Sequence, residues 1–118
     1  MTRDELDAAT DEQLNQTAAK VMGRKWNQGL AIWLDAKGKA CGFSNWSPAT
    51  DIADAWELVE KMRVLYGFNL DASGFDGAEW RVVIGWGDDP ISVHVEAATA
   101  PRAITTAALL AWEAKEKA

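Results

Sequence analysis

The amino-acid sequence predicts an α+β fold, a three-layer α/β/α sandwich. The order α-ββ-α-ββ-α places three helices on the two faces of a four-stranded, mainly antiparallel sheet. Three observations predict it. Two stretches, S47-P-A-T-D51 and T99-A-P-R102, each set a capping hydroxyl and a proline before a run of helical periodicity. Two apolar segments each double back on a Gly-containing turn. The helical runs are rich in alanine, which lets helices approach a sheet closely. At 118 residues the chain falls in the single-domain range, so 1–118 is read as one domain burying roughly two-thirds of its unfolded surface.

The first helix is expected over residues 4–22, with Leu6, Leu14, Ala18 and Val21 at helical intervals and Gly23 as its stop. GLAIWLDAKGKACGF (29–43) follows as a β-hairpin around D35-A-K-G38. In the second helix, 48–66, Ser47 caps and Pro48 takes the first position. Ile52, Ala55, Trp56, Val59, Met62 and Tyr66 form its apolar side. Residues 68–79, rich in Gly and Asp, read as a surface loop. The second hairpin alternates Trp80, Val82, Ile84 and Trp86 with the facing Ile91, Val93 and Val95 about the G87-D-D-P90 turn. The third helix carries Ile104, Ala107, Ala108, Ala111 and Trp112 as a stripe, with Lys115 and Lys117 at its negative end.

Twelve Lys and Arg against eighteen Asp and Glu give net charge −6, which disfavours direct binding to phosphate backbones. The single cysteine, Cys41, has no partner for an internal disulfide, and MTRDELDAAT lacks the apolar core of a signal peptide. A cytoplasmic protein is expected. No apolar run reaches the ~18 residues of a spanning helix, so no membrane insertion is expected.

The residues K20-V-M-G23, S47-P-A-T-D-I-A-D-A-W-E-L-V-E-K61, A98-T-A-P-R-A-I104 and A107-A-L109 resemble the phage α-β-α sandwich domain family of small phage and prophage proteins. The resemblance covers most of the chain in the family's order. Arg24-Lys25 before Trp26 and a short first hairpin depart from the family pattern. The resemblance implies the layered fold and a phage origin, and brings no family-wide activity and no catalytic residue.

No GxxxxGK[ST], HExxH, GxSxG or paired-Cys motif is present, so a non-enzymatic binding protein without cofactor or metal is expected. The lone His94 lies on the strand face opposite Val93 and Val95; as a general base it would need a partner within hydrogen-bond reach. Cys41 reads as a packed thiol, and Asp88-Asp89 as turn chemistry. The acids Asp51, Asp54, Glu57 and Glu60 advance by three along the second helix, as a solvated face or as a surface for a basic partner.

Seven tryptophans are the most unusual feature of composition. Trp56, Trp80 and Trp112 fit buried positions, whereas Trp26, Trp33 and Trp46 flank the first hairpin and are candidates for partial exposure as anchors. The partner-binding candidates are therefore Asp51, Asp54, Glu57, Glu60, Trp33 and Trp46. The partner implied, through the phage resemblance, is a host defence protein such as a CRISPR effector. A second reading is a sponge for a small nucleotide, with Arg24, Lys25, Trp26 and Arg102 meeting base and phosphates. A third is a phage accessory protein. Flanking helices with apolar residues also favour a homodimer slightly over a monomer.

Overall fold

A Thr-x-x-Gln capping box divides the first predicted helix in two. The computed structural model describes residues 3–27, 32–34, 40–43, 46–74, 79–85 and 92–116. In it, helix α1 covers Arg3–Ala8 and helix α2 covers Asp11–Val21. Thr10 Oγ1 accepts the Gln13 N–H at 3.2 Å, and the Thr10 N–H donates to Gln13 Oε1 at 2.9 Å. Each residue satisfies the other's orphan donor, so a new helix starts where one continuous helix was expected. Gly23, at φ +72°, ends α2 as predicted.

Strands β1 (Lys25–Asn27), β2 (Ile32–Leu34) and β3 (Ala40–Phe43) form an antiparallel meander. Trp26 stands opposite Trp33, and Trp33 opposite Gly42. The expected hairpin therefore gains a third strand, and its D35-A-K-G38 turn lies outside the described residues.

Helix α3 covers Ile52–Tyr66 and is capped by Asp51, not by Ser47. Asp51 Oδ1 accepts the N–H groups of Ala53 and Asp54 at 2.9 and 3.1 Å. Ser47 instead closes a turn, its carbonyl accepting from Thr50 and Asp51. The buried face of α3 is Ala55, Leu58, Val59 and Met62, while Ile52 and Trp56 are half exposed. The apolar stripe expected through Ile52 and Trp56 is thus rotated toward Leu58.

β4 (Asn69–Gly74) replaces the loop expected over 68–79. Asp, Ser and Gly fit a strand poorly. Here, six successive residues pair with β5 (Trp80–Gly85), from Asn69 opposite Gly85 to Gly74 opposite Trp80, and that ladder outweighs the composition. β6 (Ser92–Ala97) completes the antiparallel order β4-β5-β6. Val82, Ile84, Val93 and Val95 are buried as predicted. The G87-D-D-P90 turn, Trp86 and Ile91 lie outside the described residues. Trp80, expected inside, is 37% exposed at the strand end, and Trp112 is half-buried.

Helix α4 covers Ala100–Glu116. Every residue from Ala103 to Leu109 is buried, and Ala111 as well. One stripe cannot do this; only a helix covered on all sides can. α4 packs against β5 and β6 and also against α2 and α3, so it is itself the middle layer. The outer face of the sheet, with Asp71, Ser73, Arg81, His94 and Glu96, is exposed. The α+β class holds. The arrangement differs from expectation in two ways: the described strands form two three-stranded sheets, and the helices gather on one face of β4-β5-β6. The alanines and threonines of α4 give the reason, since short side chains allow close approach from every direction.

Candidate functional site

Four of the residues singled out from the sequence meet at the root of the first sheet. Arg24 precedes β1 and Trp46 follows β3, and the Arg24 guanidinium lies 4.5 Å from the Trp46 ring centroid. The Arg24 side chain is only 9% exposed, and it donates to the Glu57 carboxylate on α3. Its Nη1 is buried without a hydrogen-bond partner among the described residues. Three residues before Glu57 on the same flank of α3, Asp54 Oδ2 accepts the Ser47 N–H at 2.9 Å. Burial pushes the Asp54 carboxyl above its ordinary value of 3.8, opposed by the Ser47 N–H and then reinforced by the negative charges of Asp51 and Glu57.

Trp46 is therefore buried, not an exposed anchor, because Arg24 covers it. Arg24, Trp46, Asp54 and Glu57 form a latch that joins both ends of β1-β2-β3 to α3. Asn15 extends it: its amide donates to Ser47 Oγ at 2.8 Å, and its Oδ1 accepts the Ala49 N–H at 2.9 Å. Asp51 is the helix cap, and Glu60 pairs with Arg63 at 2.9 Å. The backbones of Lys25, Trp26 and Trp33 lie in strands, and their side chains lie outside the described residues.

Two surfaces remain open. The first is the outward face of α3, where Ile52 is 50% exposed, Trp56 48% and Val64 82%. They share that face with Glu57, Glu60, Lys61 and Arg63, all at least partly exposed. An aromatic side chain set among charges is the composition of a protein-contact patch.

The second surface is a cleft of about 680 Å³ between α1, β6 and the start of α4. Arg3, Arg81 and Arg102 converge on it together with Asp7, Glu96 and His94. Arg102 is held by Asp11 Oδ1 at 2.7 Å and by the Ala9 carbonyl at 2.5 Å. Arg81 pairs with Glu96 across the strands at 3.0 Å, and Arg3 with Asp7 at 3.3 Å. His94 Nε2 lies 3.0 Å from Ser92 Oγ on the exposed sheet face. Arg102 and His94 were singled out from sequence. The rest of the cleft comes from residues far apart in the chain and carries no local signal, apart from Arg81 and Glu96, which a hairpin register centred on Asp88-Asp89 would pair. Arg24 does not line the cleft, so Arg24 and Arg102 are not brought together there.

Among the described residues, no group of three or more His, Cys, Asp or Glu is placed to hold a metal ion. No helix among them is long and apolar enough to cross a membrane.

A central helix between a meander sheet and two helices, with an aromatic-bearing outer helix and an arginine-lined cleft, defines a small α+β domain built to present surfaces. The chain belongs to the phage ABA sandwich domain family, whose model matches residues 16–109. The fold is also similar to the crystal structure of a phage protein from Bacillus cereus ATCC 14579, with TM-score 0.61 and 22% identity over 89% of this chain and 94% of that one. Nothing among the curated proteins matches this chain.

Proposed function

We propose that this member of the phage family is a non-enzymatic binding protein. It acts in the cytoplasm of the infected bacterium, where it inhibits a defence system, such as a CRISPR effector complex, by binding one of its proteins. The observation that carries this reading is the half-exposed Trp56 on α3, flanked by Ile52 and by Glu57 and Glu60. A rigid aromatic at the centre of a patch is the residue type that most often dominates a protein contact. Net charge −6 supports a basic, nucleic-acid-handling partner, because complementary fields raise the association rate. All four acids already have partners, Asp51 and Asp54 in backbone N–H groups, Glu57 in Arg24 and Glu60 in Arg63, so steering rests on the net charge of the whole chain.

The test is retention of a defence protein from host lysate by the tagged chain, followed by inhibition of that purified defence protein. Trp56→Ala should abolish both while leaving thermal stability nearly unchanged, since exposed substitutions usually cost no more than about 0.5 kcal/mol. Inhibition undiminished in Trp56→Ala would refute the assignment of α3.

The nucleotide reading keeps one supporting observation, the convergence of Arg3, Arg81 and Arg102 on the cleft. It predicts thermal stabilisation by a nucleotide, lost in Arg102→Ala.

A further inference from the structure

Among the described residues β6 is an edge strand, because the order β4-β5-β6 leaves its outer side without a neighbour. Among the described residues no backbone hydrogen bond reaches it from any element except β5. Such an edge is a ready template for another chain, and proteins usually blunt it with a bulge, a proline or a covering element. Here the pairing with β5 runs without interruption from Ser92 to Ala97, so the edge is straight.

The 680 Å³ cleft lies against this edge. His94, Val95, Glu96, Ala97 and Ala98 all border it. Successive residues of a strand point to opposite faces. Four successive strand residues, His94 to Ala97, border one space, which places that space along the backbone edge. The far wall is Arg3 and Asp7, one turn apart on α1, and Arg102 and Thr106 of α4 lie beneath. The volume falls within the roughly 300–1,000 Å³ of ligand sites.

The charge of the lining defines the ligand. Three guanidiniums and two carboxylates line it, and the third guanidinium, Arg102, is paired with Asp11 outside the lining. The Arg3–Asp7 and Arg81–Glu96 pairs join side chains 48–53% exposed, and ion pairs this wet are worth at most about 1 kcal/mol. Exchange of their partners for an incoming carboxylate is therefore cheap. α1 walls the space on the side away from β6.

We propose that the cleft binds an extended peptide segment of a partner protein by strand addition to β6, with small apolar residues alternating with acidic ones. Main-chain hydrogen bonds to β6 supply affinity, and alternate side chains supply specificity. The apolar ones continue the Val95 and Ala97 face, and the acidic ones meet Arg81 on the outer face and Arg3 on the wall. This site is separate from α3 and does not rest on the host-defence reading.

A library of acetylated, amidated hexapeptides, with valine fixed at alternate positions and the intervening positions varied, tests this against the full chain. Expected is enrichment of Asp and Glu at the varied positions, with hydrogen-exchange protection gained at alternate amides of Val93–Ala97 by the best peptide. Arg3→Glu with Arg81→Glu should weaken that peptide about tenfold or more, while α4 amides keep their protection. Glu96→Gln, which removes a competing carboxylate and leaves the strand intact, should tighten it. Enrichment of Lys and Arg, no enrichment, or protection that falls outside β6 would overturn the proposal. So would inorganic pyrophosphate displacing the selected peptide from the same amides without strand-like protection, which marks a phosphate site. Protection of the β6 amides by raising protein concentration alone would overturn it in favour of a second copy.

Discussion

The described residues form two antiparallel three-stranded sheets, and they are held in different ways. β4-β5-β6 presses Val82, Ile84, Val93 and Val95 onto α4 over a continuous buried face. β1-β2-β3 is fastened at its root, where Arg24 and Trp46 stack and Glu57 ties them to α3. β4-β5-β6 is secured by apolar area, which every residue of its buried face shares. The described attachment of β1-β2-β3 to α3 runs through Arg24, Trp46 and Glu57, so a single substitution there is expected to loosen it.

The largest effect expected from breaking this contrast is at Ile84, which is wholly buried. Ile84→Ala should lower global stability by roughly 2–5 kcal/mol in chemical denaturation. The loss should reach α4 and β4-β5-β6 together. Next comes Arg24→Met, which keeps the stem but removes the charge over Trp46 and the ion pair to Glu57. Loss of a desolvated cation–π contact predicts about 1–2 kcal/mol easier opening of β1-β2-β3, read by hydrogen exchange, with α4 little changed. If α4 loosens as much as β1, the latch is no separate unit. Asp51→Ala removes the α3 cap and should cost about 1 kcal/mol, because two backbone donors lose their acceptor.

The smallest effect sharpens the latch electrostatically. Asp54 is raised by burial, so the folded state holds its proton more tightly than the unfolded chain does. The fold therefore gains stability from this group below its ordinary value of 3.8 and loses that gain as pH rises through the raised folded value. Asp54→Asn keeps an acceptor for the Ser47 N–H and should flatten this slope in denaturation series across acidic pH. A difference of opposite sign between the wild type and Asp54→Asn would contradict the burial assigned to Asp54.

The same contrast marks what could be read from the residues. The alternation of Val82 and Ile84 with Val93 and Val95 is a periodic signal, and it located β5, β6 and their buried face correctly. The ends of α2 and α3 at Gly23 and Gly67 were legible for a similarly local reason. β4 was missed because its pairing with β5 is a property of the partner and not of N69-L-D-A-S-G74. The α1/α2 break was written in T10-D-E-Q13 and overlooked beside the longer periodicity. Trp46 and Trp56 exchanged places, one buried and one exposed, because a tryptophan's fate depends on what covers it. Arg24 reaching Glu57 across 33 positions has no local signature. The cleft is assembled in the same way, since Arg102 meets Asp11 across 91 positions.

The central position of α4 also has a consequence for synthesis. The elements packed on both of its sides, α2 and α3 as well as β5 and β6, all precede it in the chain. As the polypeptide leaves the ribosome, these elements emerge with the seat between them empty. At ~5–20 residues per second, the 17 residues of the helix that fills it take roughly 1–3 s to add, and the seat stays empty at least that long. Throughout that interval the sheet's valines and the inner face of α3 are bare, and the nascent chain is at its most exposed to chaperones and proteases.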